Sequence, residues 1–487
     1  QTILPANSAA SGGFDVANSV RMNRGSTDHL RRTNNTGETS NKIGTYSGWL
    51  KRSTIALDGM MFEGKDLDAN NYTQIYFQAT GKLTVYGSGT MDIVSTALFR
   101  DPTAWYHVCV AIDTTQGTAA NRVKIYVNGV QVTSLTNGNG DAVEYPDQND
   151  VIYFAVNGDQ QAIGIREDGA LLWNGYFSEV VYIDGTQLTP TSFGEFDEDS
   201  GIWKPIKVSG LTFGNNGCYL DFQDSSALGN VVAGRTAVDF TVTNLTAVDQ
   251  STDTCTNNFA TLASGLYTSG ATFSQGNLQY QAPGSNPVFG SLTTIGVDNG
   301  KWYAEVKYTA GSNHYLVLGI ADEVFATLSN LGSNTNTDLG KVGASLSTQA
   351  FAQNSTVAYV VNTGKVRNNN ANGDYGSGGG DGDIIQIALD RDNRKVYFGI
   401  NGTYEASGDP GAGSNGFDLS SLVTGDTYFI GVTNDTGASE TIAEFNFGSP
   451  SFAISSSNAD ANGIGNFEYA VPSGFFALCT KNLAEFG

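Results

Sequence analysis

Two stretches of alternating apolar and polar residues, each interrupted by Asn-Gly, constrain the fold of this chain most strongly. RVKIYVNGVQV runs from Arg122 to Val132, and RKVYFGINGTY runs from Arg394 to Tyr404. Strict alternation places every second side chain on one face of a strand. Asn-Gly favours a two-residue turn with positive φ at both positions. Both stretches are therefore predicted to be β-hairpins, one in each half of the chain.

The alternation also predicts which side chains share a face. In the second hairpin, Val396, Phe398 and Ile400 would lie on one face of the sheet, and Lys395 and Tyr397 on the other. The first hairpin has the corresponding pattern. Such hairpins are evidence about architecture, so any function is expected in loops at the sandwich rims, in the N-terminal arm or in packing between copies.

Strand signals recur at short intervals along the whole chain, and Gly, Asn and Asp separate them. Gly is frequent, with 60 of 487 residues, and only 15% of residues are charged. This pattern predicts an all-β protein of two tandem β-sandwich (jelly-roll) domains. The predicted parts are an N-terminal arm (1–13), a first sandwich (14–225), an extended connector (226–262), a second sandwich (263–449) and a C-terminal closing segment (450–487).

The charge balance excludes several classes of partner. The formal net charge is -23, which leaves no electrostatic footprint for nucleic acid or anionic lipid. No stretch approaches the roughly 18 apolar residues of a membrane span, and the first residues have no signal-peptide pattern. Neither nucleic-acid binding nor membrane insertion is therefore expected. The four cysteines form no CxxC pair, and they are expected to be buried free thiols.

The first half resembles the laminin G-like, concanavalin A-like jelly-roll modules. The resemblance rests on NSVRMNRGSTDHLRR, on WYHVCVAIDTTQGTAANRVKIYVNGVQV and on the closing NGYFSEVVYIDGTQLTPTSFGE. The second half resembles a SPRY-type sandwich in GKWYAEVKY, VLGIAD, GDIIQIALDRDNRKVYFGINGTY and YFIGVTNDTG. Each motif is moderately specific, and their combination is more so.

The order of these parts is similar to that of structural proteins of marine tailed bacteriophages. Pro472 to Leu483, within VPSGFFALCTKNLAEFG, fits the closing pattern of that group. The resemblance implies a non-enzymatic virion surface protein: a tail-fibre, receptor-binding or head-decoration component. Its expected partners are other virion proteins, further copies of itself and a host-surface glycan or receptor. The polar arm would then be a tether that orders only on a neighbouring subunit.

Two alternatives come from other functional classes. A secreted bacterial carbohydrate-binding or adhesion protein would share the sandwich fold. A polysaccharide-cleaving glycoside hydrolase would need a pair of carboxylates, and retaining enzymes hold theirs about 5 Å apart. Glu195, Asp197 and Asp199 alternate in GEFDEDSG, but the run is bounded by turn residues and is interpreted as a solvated acidic turn.

No nucleophilic triad is predicted either. The only histidines are His29, His107 and His314, and no Gly-x-Ser-x-Gly elbow stands between a strand and a helix. His107, in the WYHV strand, is expected to be a packed or rim residue. Zinc-ligand spacing and a P-loop are absent.

Two kinds of binding residue remain as candidates. Laminin G-like modules bind calcium at a rim, and calcium prefers oxygen ligands. The candidate ligands are Asp113, Asp141, Asp381 and Asp383, although loop acids of this kind are often only solvated. Tyr375, in the Gly-rich loop, and Tyr404, after the second hairpin, are candidates for stacking on sugar rings, with simple coverage of a sandwich rim as the alternative.

Overall fold

The computed structural model describes residues 13–67, 70–89, 91–236, 238–264, 271–282, 290–309, 316–322, 356–368, 371–420, 427–434 and 440–487. These residues divide into two compact units, with the boundary between Asn258 and Phe259. The N-terminal arm predicted at 1–13 lies outside the described residues except for Gly13.

The first unit is built almost entirely from short strands. They are β1 (Ser19–Met22), β2 (His29–Thr33), β3 (Ile43–Arg52), β4 (Gly59–Lys65), β5 (Tyr72–Phe77), β6 (Leu83–Gly87), β7 (Asp92–Ser95), β8 (Trp105–Asp113), β9 (Val123–Val127), β10 (Val130–Gln131), β11 (Leu135–Thr136), β12 (Gln160–Ile163), β13 (Gly175–Asp184), β14 (Gly194–Phe196), β15 (Trp203–Pro205), β16 (Cys218–Leu220), β17 (Ala233–Gly234), β18 (Thr241–Thr243) and β19 (Gln250–Ser251).

These strands form two large sheets that face each other across one apolar core. A nine-stranded sheet has the order β10-β9-β8-β3-β13-β1-β19, with β16 on β13 and β17 on β16. An eight-stranded sheet has the order β11-β7-β6-β5-β4-β12-β2-β18, and β14 and β15 pair separately. Alternate residues of both sheets, such as Val110, Phe177, Phe62 and Ile75, fill the core. The predicted jelly-roll sandwich is confirmed.

The segment predicted as an extended connector, 226–262, needs a correction. Its residues up to Asn258 belong to the first unit, where β18 pairs with β2 and β19 pairs with β1. Phe240 from this segment is buried in the core. Its strands are only two or three residues long, so their alternation is too short to read in the sequence. They nevertheless cover sheet edges whose backbone groups would otherwise lack partners.

The second unit is also a sandwich. Its strands are β20 (Thr272–Ser274), β21 (Gln279–Ala282), β22 (Gly290–Leu292), β23 (Lys301–Thr309), β24 (Leu316–Asp322), β25 (Thr356–Val360), β26 (Lys365–Asn368), β27 (Ala371–Asp374), β28 (Ile384–Asp390), β29 (Lys395–Ile400), β30 (Thr403–Tyr404), β31 (Phe417–Asp418), β32 (Tyr428–Asn434), β33 (Thr441–Asn446) and β34 (Phe476–Ala477). One sheet has the order β20-β21-β33-β23-β28-β29-β30, with β31 on β29 and β34 on β23. The other has the order β22-β32-β24-β25-β26-β27.

Helices are short throughout the described residues. The α-helix α1 (Thr480–Phe486) closes the chain. Single 3-10 turns lie at Arg24–Ser26, Ala119–Asn121, Pro190–Ser192, Ala247–Asp249, Gln275–Asn277, Val361–Thr363 and Glu405–Ser407. Across this described part of the chain, no helix has the length and apolar character that crossing a bilayer requires.

Both predicted hairpins are confirmed. Asn128 and Gly129 connect β9 to β10 with φ of 47° and 77°, and Asn401 and Gly402 connect β29 to β30 with φ of 49° and 87°. These values fit the two-residue turn that Asn-Gly favours. Tyr397 does lie on the face opposite Phe398, but it is fully buried there, because the C-terminal segment covers that face with Phe467 and Phe475.

The predicted state of the cysteines is confirmed. Cys109, Cys218, Cys255 and Cys479 are all buried and none is in a disulfide. Burial raises the pKa of the Cys218 thiol. These thiols are therefore packing groups and poor nucleophiles.

Candidate functional site

The two sheets of the first unit differ in what covers their outer faces. On the nine-stranded sheet, Phe193 and Trp203 from the chain after β13 pack against Cys109 and Trp49. The outer face of the eight-stranded sheet instead carries tyrosines and polar residues around a cleft of about 330 Å³. A concave surface with convergent polar groups is where a ligand site is expected.

The floor of the cleft is set by strand alternation in YTQIYFQ. Ile75 and Phe77 point into the core. Tyr72, Gln74 and Tyr76 therefore project from the opposite face, into the cleft. Gln74 pairs with Glu63 of β4 on one side and with Tyr86 of β6 on the other, so the three side chains form a row across the sheet.

Glu63 is the buried acid in this floor. Its carboxylate accepts one hydrogen bond from the Gln74 amide (2.6 Å) and another from the Glu167 backbone N–H (2.6 Å). Only 1% of the residue is exposed. Burial raises the pKa of Glu63 to about 7, and the two hydrogen bonds only partly oppose that effect. At neutral pH the group is therefore divided between its charged and neutral forms.

The tyrosines supply flat apolar surface beside these polar groups. The rings of Tyr72 and Tyr86 stack with centroids 6.0 Å apart and planes 26° apart. Burial raises the pKa of Tyr76 to about 12, so its hydroxyl stays protonated at neutral pH. Each phenol can thus donate and accept hydrogen bonds while its ring offers a stacking face.

One wall of the cleft is the turn after β12. Arg31 donates from Nη2 to the carbonyl oxygens of Arg166 and Glu167, at 3.0 Å each, and so fixes the turn to the sheet. Arg166 pairs with Asp168 through two contacts, Nε to Oδ1 at 2.9 Å and Nη2 to Oδ2 at 2.7 Å. This wall of the cleft is therefore fixed by contacts within the chain.

The structure places the two predicted sugar-stacking tyrosines in packed positions of the second unit. The half-buried Tyr375 contacts the rings of Tyr359, Phe398 and Phe417. Tyr404 packs near Tyr397, and its hydroxyl is buried with no hydrogen-bond partner among the described residues. The two belong to different apolar clusters. Sugar stacking by Tyr375 and Tyr404 stays a prediction.

Two of the predicted calcium ligands are used by local turns. Asp113 accepts hydrogen bonds from Thr115 and Gln116, which outweigh burial and lower the pKa of this carboxyl. Asp383 accepts from Gly380 N–H and from the Asn401 amide.

The other two, Asp141 and Asp381, are exposed. Across the ranges described, His, Cys, Asp and Glu side chains form no group of three or more that could hold a metal ion. Calcium binding stays a prediction.

The acidic run at 194–199 is more ordered than a solvated turn. Gly194–Phe196 pairs with Trp203–Pro205, which corrects the interpretation of this stretch as turn alone. The Asp197 carboxylate accepts from Ser200 and from the Lys204 ammonium (3.0 Å). Those contacts hold the pKa of Asp197 near 2.

His107 is a packed residue, as predicted. Its ring is fully buried, Nε2 lies 2.8 Å from Ser47 Oγ, and the Trp203 indole donates to Nδ1 (3.1 Å). Burial lowers the pKa of His107 to about 3, so the ring is neutral.

Sequence reasoning missed the cleft. A usable signal existed in YTQIYFQ, where Tyr72 and Tyr76 occupy the positions that alternation assigns to the outer face. Aromatic residues on a face that should meet water are informative about binding. The contribution of the turn at 166–168 could not be read, because it lies about ninety residues further along the chain.

The comparisons with known proteins agree with the fold of the first unit. Residues 24–191 match the family model Laminin_G_3, described as the concanavalin A-like lectin/glucanases superfamily. This match confirms the laminin G-like, concanavalin A-like resemblance over that range, which contains the whole cleft. No curated protein matches the sequence of the chain.

Solved structures similar to the chain include SPRY domains and a pentraxin. The SPRY domain of human HERC1 is 14% identical, with 34% of this chain and 87% of that domain covered at a TM-score of 0.25. A human SPRY domain is 18% identical (36% and 95% covered, TM-score 0.24). A heptameric SAP-like pentraxin from Limulus polyphemus is 19% identical (36% and 80% covered, TM-score 0.26). At these scores the likeness supports no conclusion about what this chain binds.

Proposed function

We propose that the first unit binds carbohydrate in the cleft on its eight-stranded sheet. The observation that carries the proposal is the group of Tyr72, Tyr76 and Tyr86 around a buried carboxylate on the outer face of this sheet. Sugars combine apolar ring faces with many hydroxyls. Stacking rings beside fixed donors and acceptors complement both features.

The polar groups of the floor are already oriented for such a ligand. Gln74 is held by Glu63, and Glu63 is held by the turn at Glu167. Pre-formed hydrogen-bonding groups lower the ordering cost of binding. The match of residues 24–191 to a superfamily whose description names lectins adds support from the fold alone.

In the same proposal, the chain is a non-enzymatic virion surface protein of a tailed bacteriophage. It would act as a tail-fibre, receptor-binding or capsid-decoration component, with other virion proteins and further copies of itself as partners. The cleft would then meet a glycan on the host surface. The support is the order of the two sandwiches and the closing segment Pro472 to Leu483. Imaging of labelled intact particles tests this role, and absence of the chain from particles would contradict it.

Glycoside hydrolysis is a second candidate, because one observation favours it. A carboxyl with a pKa raised to about 7 by burial is suited to act as a general acid. Hydrolysis also needs a second carboxylate at a suitable distance. Both oxygens of Glu63 are already engaged by Gln74 and Glu167. Binding without cleavage therefore fits the contacts better.

One experiment separates the two candidates. The full chain is titrated with a panel of oligosaccharides, and the same mixtures are assayed for new reducing ends. We expect binding without release of reducing ends, and Glu63→Gln should keep measurable affinity. Sugar release that disappears in Glu63→Gln would instead support hydrolysis. A chain that binds no member of a broad panel would contradict both candidates.

A further inference from the structure

We propose that the cleft selects uncharged sugars and amino sugars and discriminates against acidic sugars, with the Arg166–Asp168 pair as the element that sets this preference. The inference rests on the proposed function, because it names the class of glycan that the same cleft would accept.

Carboxylates outnumber cations around the cleft. Four acids line it, and the cations among the lining residues are Lys65 and Arg166. The acids are Asp58, Glu63, Glu167 and Asp168. An acidic sugar would therefore bring its negative charge to a surface that already has an excess of the same sign.

Arg166 would be the natural partner for a sugar carboxylate, but the chain itself occupies it. Its Nε and Nη2 both contact Asp168, at 2.9 and 2.7 Å, in the two-pronged geometry that guanidinium and carboxylate groups prefer. Asp168 cannot turn away without cost, because its Oδ1 also accepts the Ala170 N–H (2.9 Å). The guanidinium is thus neutralised where it stands.

The second cation is also engaged. The Lys65 ammonium donates to the carbonyl oxygen of Asp66 (2.9 Å) at the end of β4. Lys65 lies directly opposite Tyr72 in the strand pairing, at the edge of the tyrosine floor. Both positive groups of the cleft are therefore held by oxygen atoms of the chain.

The floor of the cleft, in contrast to the two engaged cations, carries an acid whose partners are uncharged. The Glu63 carboxyl is buried, and it accepts hydrogen bonds from an amide and a backbone N–H, neither of which carries a charge. A protonated amino group near Glu63 would gain Coulomb attraction to the Glu63 carboxylate. An uncharged sugar would meet no penalty, whereas a uronic acid would be repelled.

The test compares three oligosaccharides of similar length with the full chain: a neutral glucan, a glucosamine oligomer and an oligouronate. We expect the neutral or amino oligomer to bind at least about tenfold more tightly than the oligouronate, a ratio typical of one screened charge contact. Equal or tighter binding of the oligouronate would overturn the inference and leave the proposed function standing. Failure of all three to bind would overturn both.

A substitution tests the role of the ion pair separately. Asp168→Asn removes the partner of Arg166, so affinity for the oligouronate should rise several-fold while affinity for the neutral glucan changes little. Asp199→Asn is the matched control, because it changes the net charge equally at an exposed position that does not line the cleft. An equal gain in both variants, or no gain in Asp168→Asn with an unchanged melting temperature, would refute the role of the pair. Should Asp168→Asn fail to fold, the wild-type comparison of the three sugars still decides the inference.

Discussion

Each unit has a buried glutamate on the outer face of a sheet, and these two glutamates differ in what covers them. Glu63 lies in β4 of the first unit, and Glu305 lies in β23 of the second. Burial raises the pKa of both carboxyls. Both also accept backbone N–H groups from a segment distant in sequence. In sequence and in the direction of their pKa shifts, the two glutamates are therefore alike.

The two carboxylates differ in what lies over them. Glu305 accepts from the backbone N–H groups of Glu468 and Tyr469 at 2.9 and 2.8 Å, so the C-terminal segment lies directly over it. Phe467 packs on Tyr303 beside it, with ring centroids 5.0 Å apart. Glu63 instead borders a cleft. A buried acid with a raised pKa is therefore a functional candidate only where the face around it is accessible.

The largest effect is expected when the covered glutamate is removed. Glu305→Ala leaves the N–H groups of Glu468 and Tyr469, and the Tyr303 hydroxyl, without their acceptor. The free energy of unfolding of the second unit should fall by about 4 kcal/mol. Urea unfolding of the full chain, followed by probes in each unit, measures this. Glu63→Ala is the matched control and should cost less, because water in the cleft can replace the lost acceptor. Equal losses would show that the two environments do not differ.

The next-largest effect is expected at Tyr375, one of the two tyrosines that the sequence predicted to stack on sugar rings. Tyr375→Ala should lower the stability of the second unit by about 3 kcal/mol, because its ring packs against three other aromatic rings. It should leave glycan affinity unchanged. Thermal unfolding and oligosaccharide titration of the same preparation give both quantities. A loss of affinity with intact folding would move the binding site to the second unit.

A pH titration sharpens the comparison further. Burial raises the pKa of Glu63 from 4.5 to about 7, so between these values the folded unit holds a proton that the unfolded chain has lost. The free energy of unfolding should therefore decrease as pH rises through this window, by about 3 kcal/mol for this group.

Other groups titrate as well. Glu179, whose pKa burial also raises to about 7, adds to the slope, and His107, whose pKa is lowered to about 3, opposes it below pH 6.5. The difference in the free energy of unfolding between wild type and Glu63→Gln, measured across this pH range, isolates the contribution of Glu63. A difference that does not change between pH 4.5 and 7 would contradict the assignment.

The smallest effect is expected at the two hairpins. Asn128→Ala and Asn401→Ala each force alanine into a left-handed conformation and remove a hydrogen bond to a backbone N–H, of His107 and of Ile384 respectively. Each substitution should cost its own unit about 1 kcal/mol. Similar losses in the two units, read from their separate unfolding transitions, would support a shared turn geometry. A cost confined to one hairpin would contradict it.

Much of the fold was predictable from the sequence because it depends on local patterns. Alternation and Asn-Gly identified β9, β10, β29 and β30 together with their turns. Features that depend on distant partners were not predictable. Tyr397 was assigned to the correct face, but its burial depends on Phe467 and Phe475, about seventy residues later. The strands between 226 and 258 were missed because two- or three-residue strands carry no readable period.

The candidate site also has a part that was predictable from local sequence and a part that depends on distant residues. Tyr72, Gln74 and Tyr76 follow from the alternation of one strand, so their common face was predictable. That this face borders a cleft was not predictable, because the cleft also needs the turn at 166–168, about ninety residues later. The charge balance that the Arg166–Asp168 pair creates required the folded turn as well.

The central claim is tested most directly by titrating a neutral oligosaccharide into the wild-type chain and into Tyr72→Ala and Tyr76→Ala. Each substitution removes a stacking face from the cleft floor at a half-buried position, so folding should be kept. We expect saturable binding to wild type and a loss of about tenfold or more in affinity in each variant. Unchanged affinity in both variants, with wild-type binding intact, would contradict it.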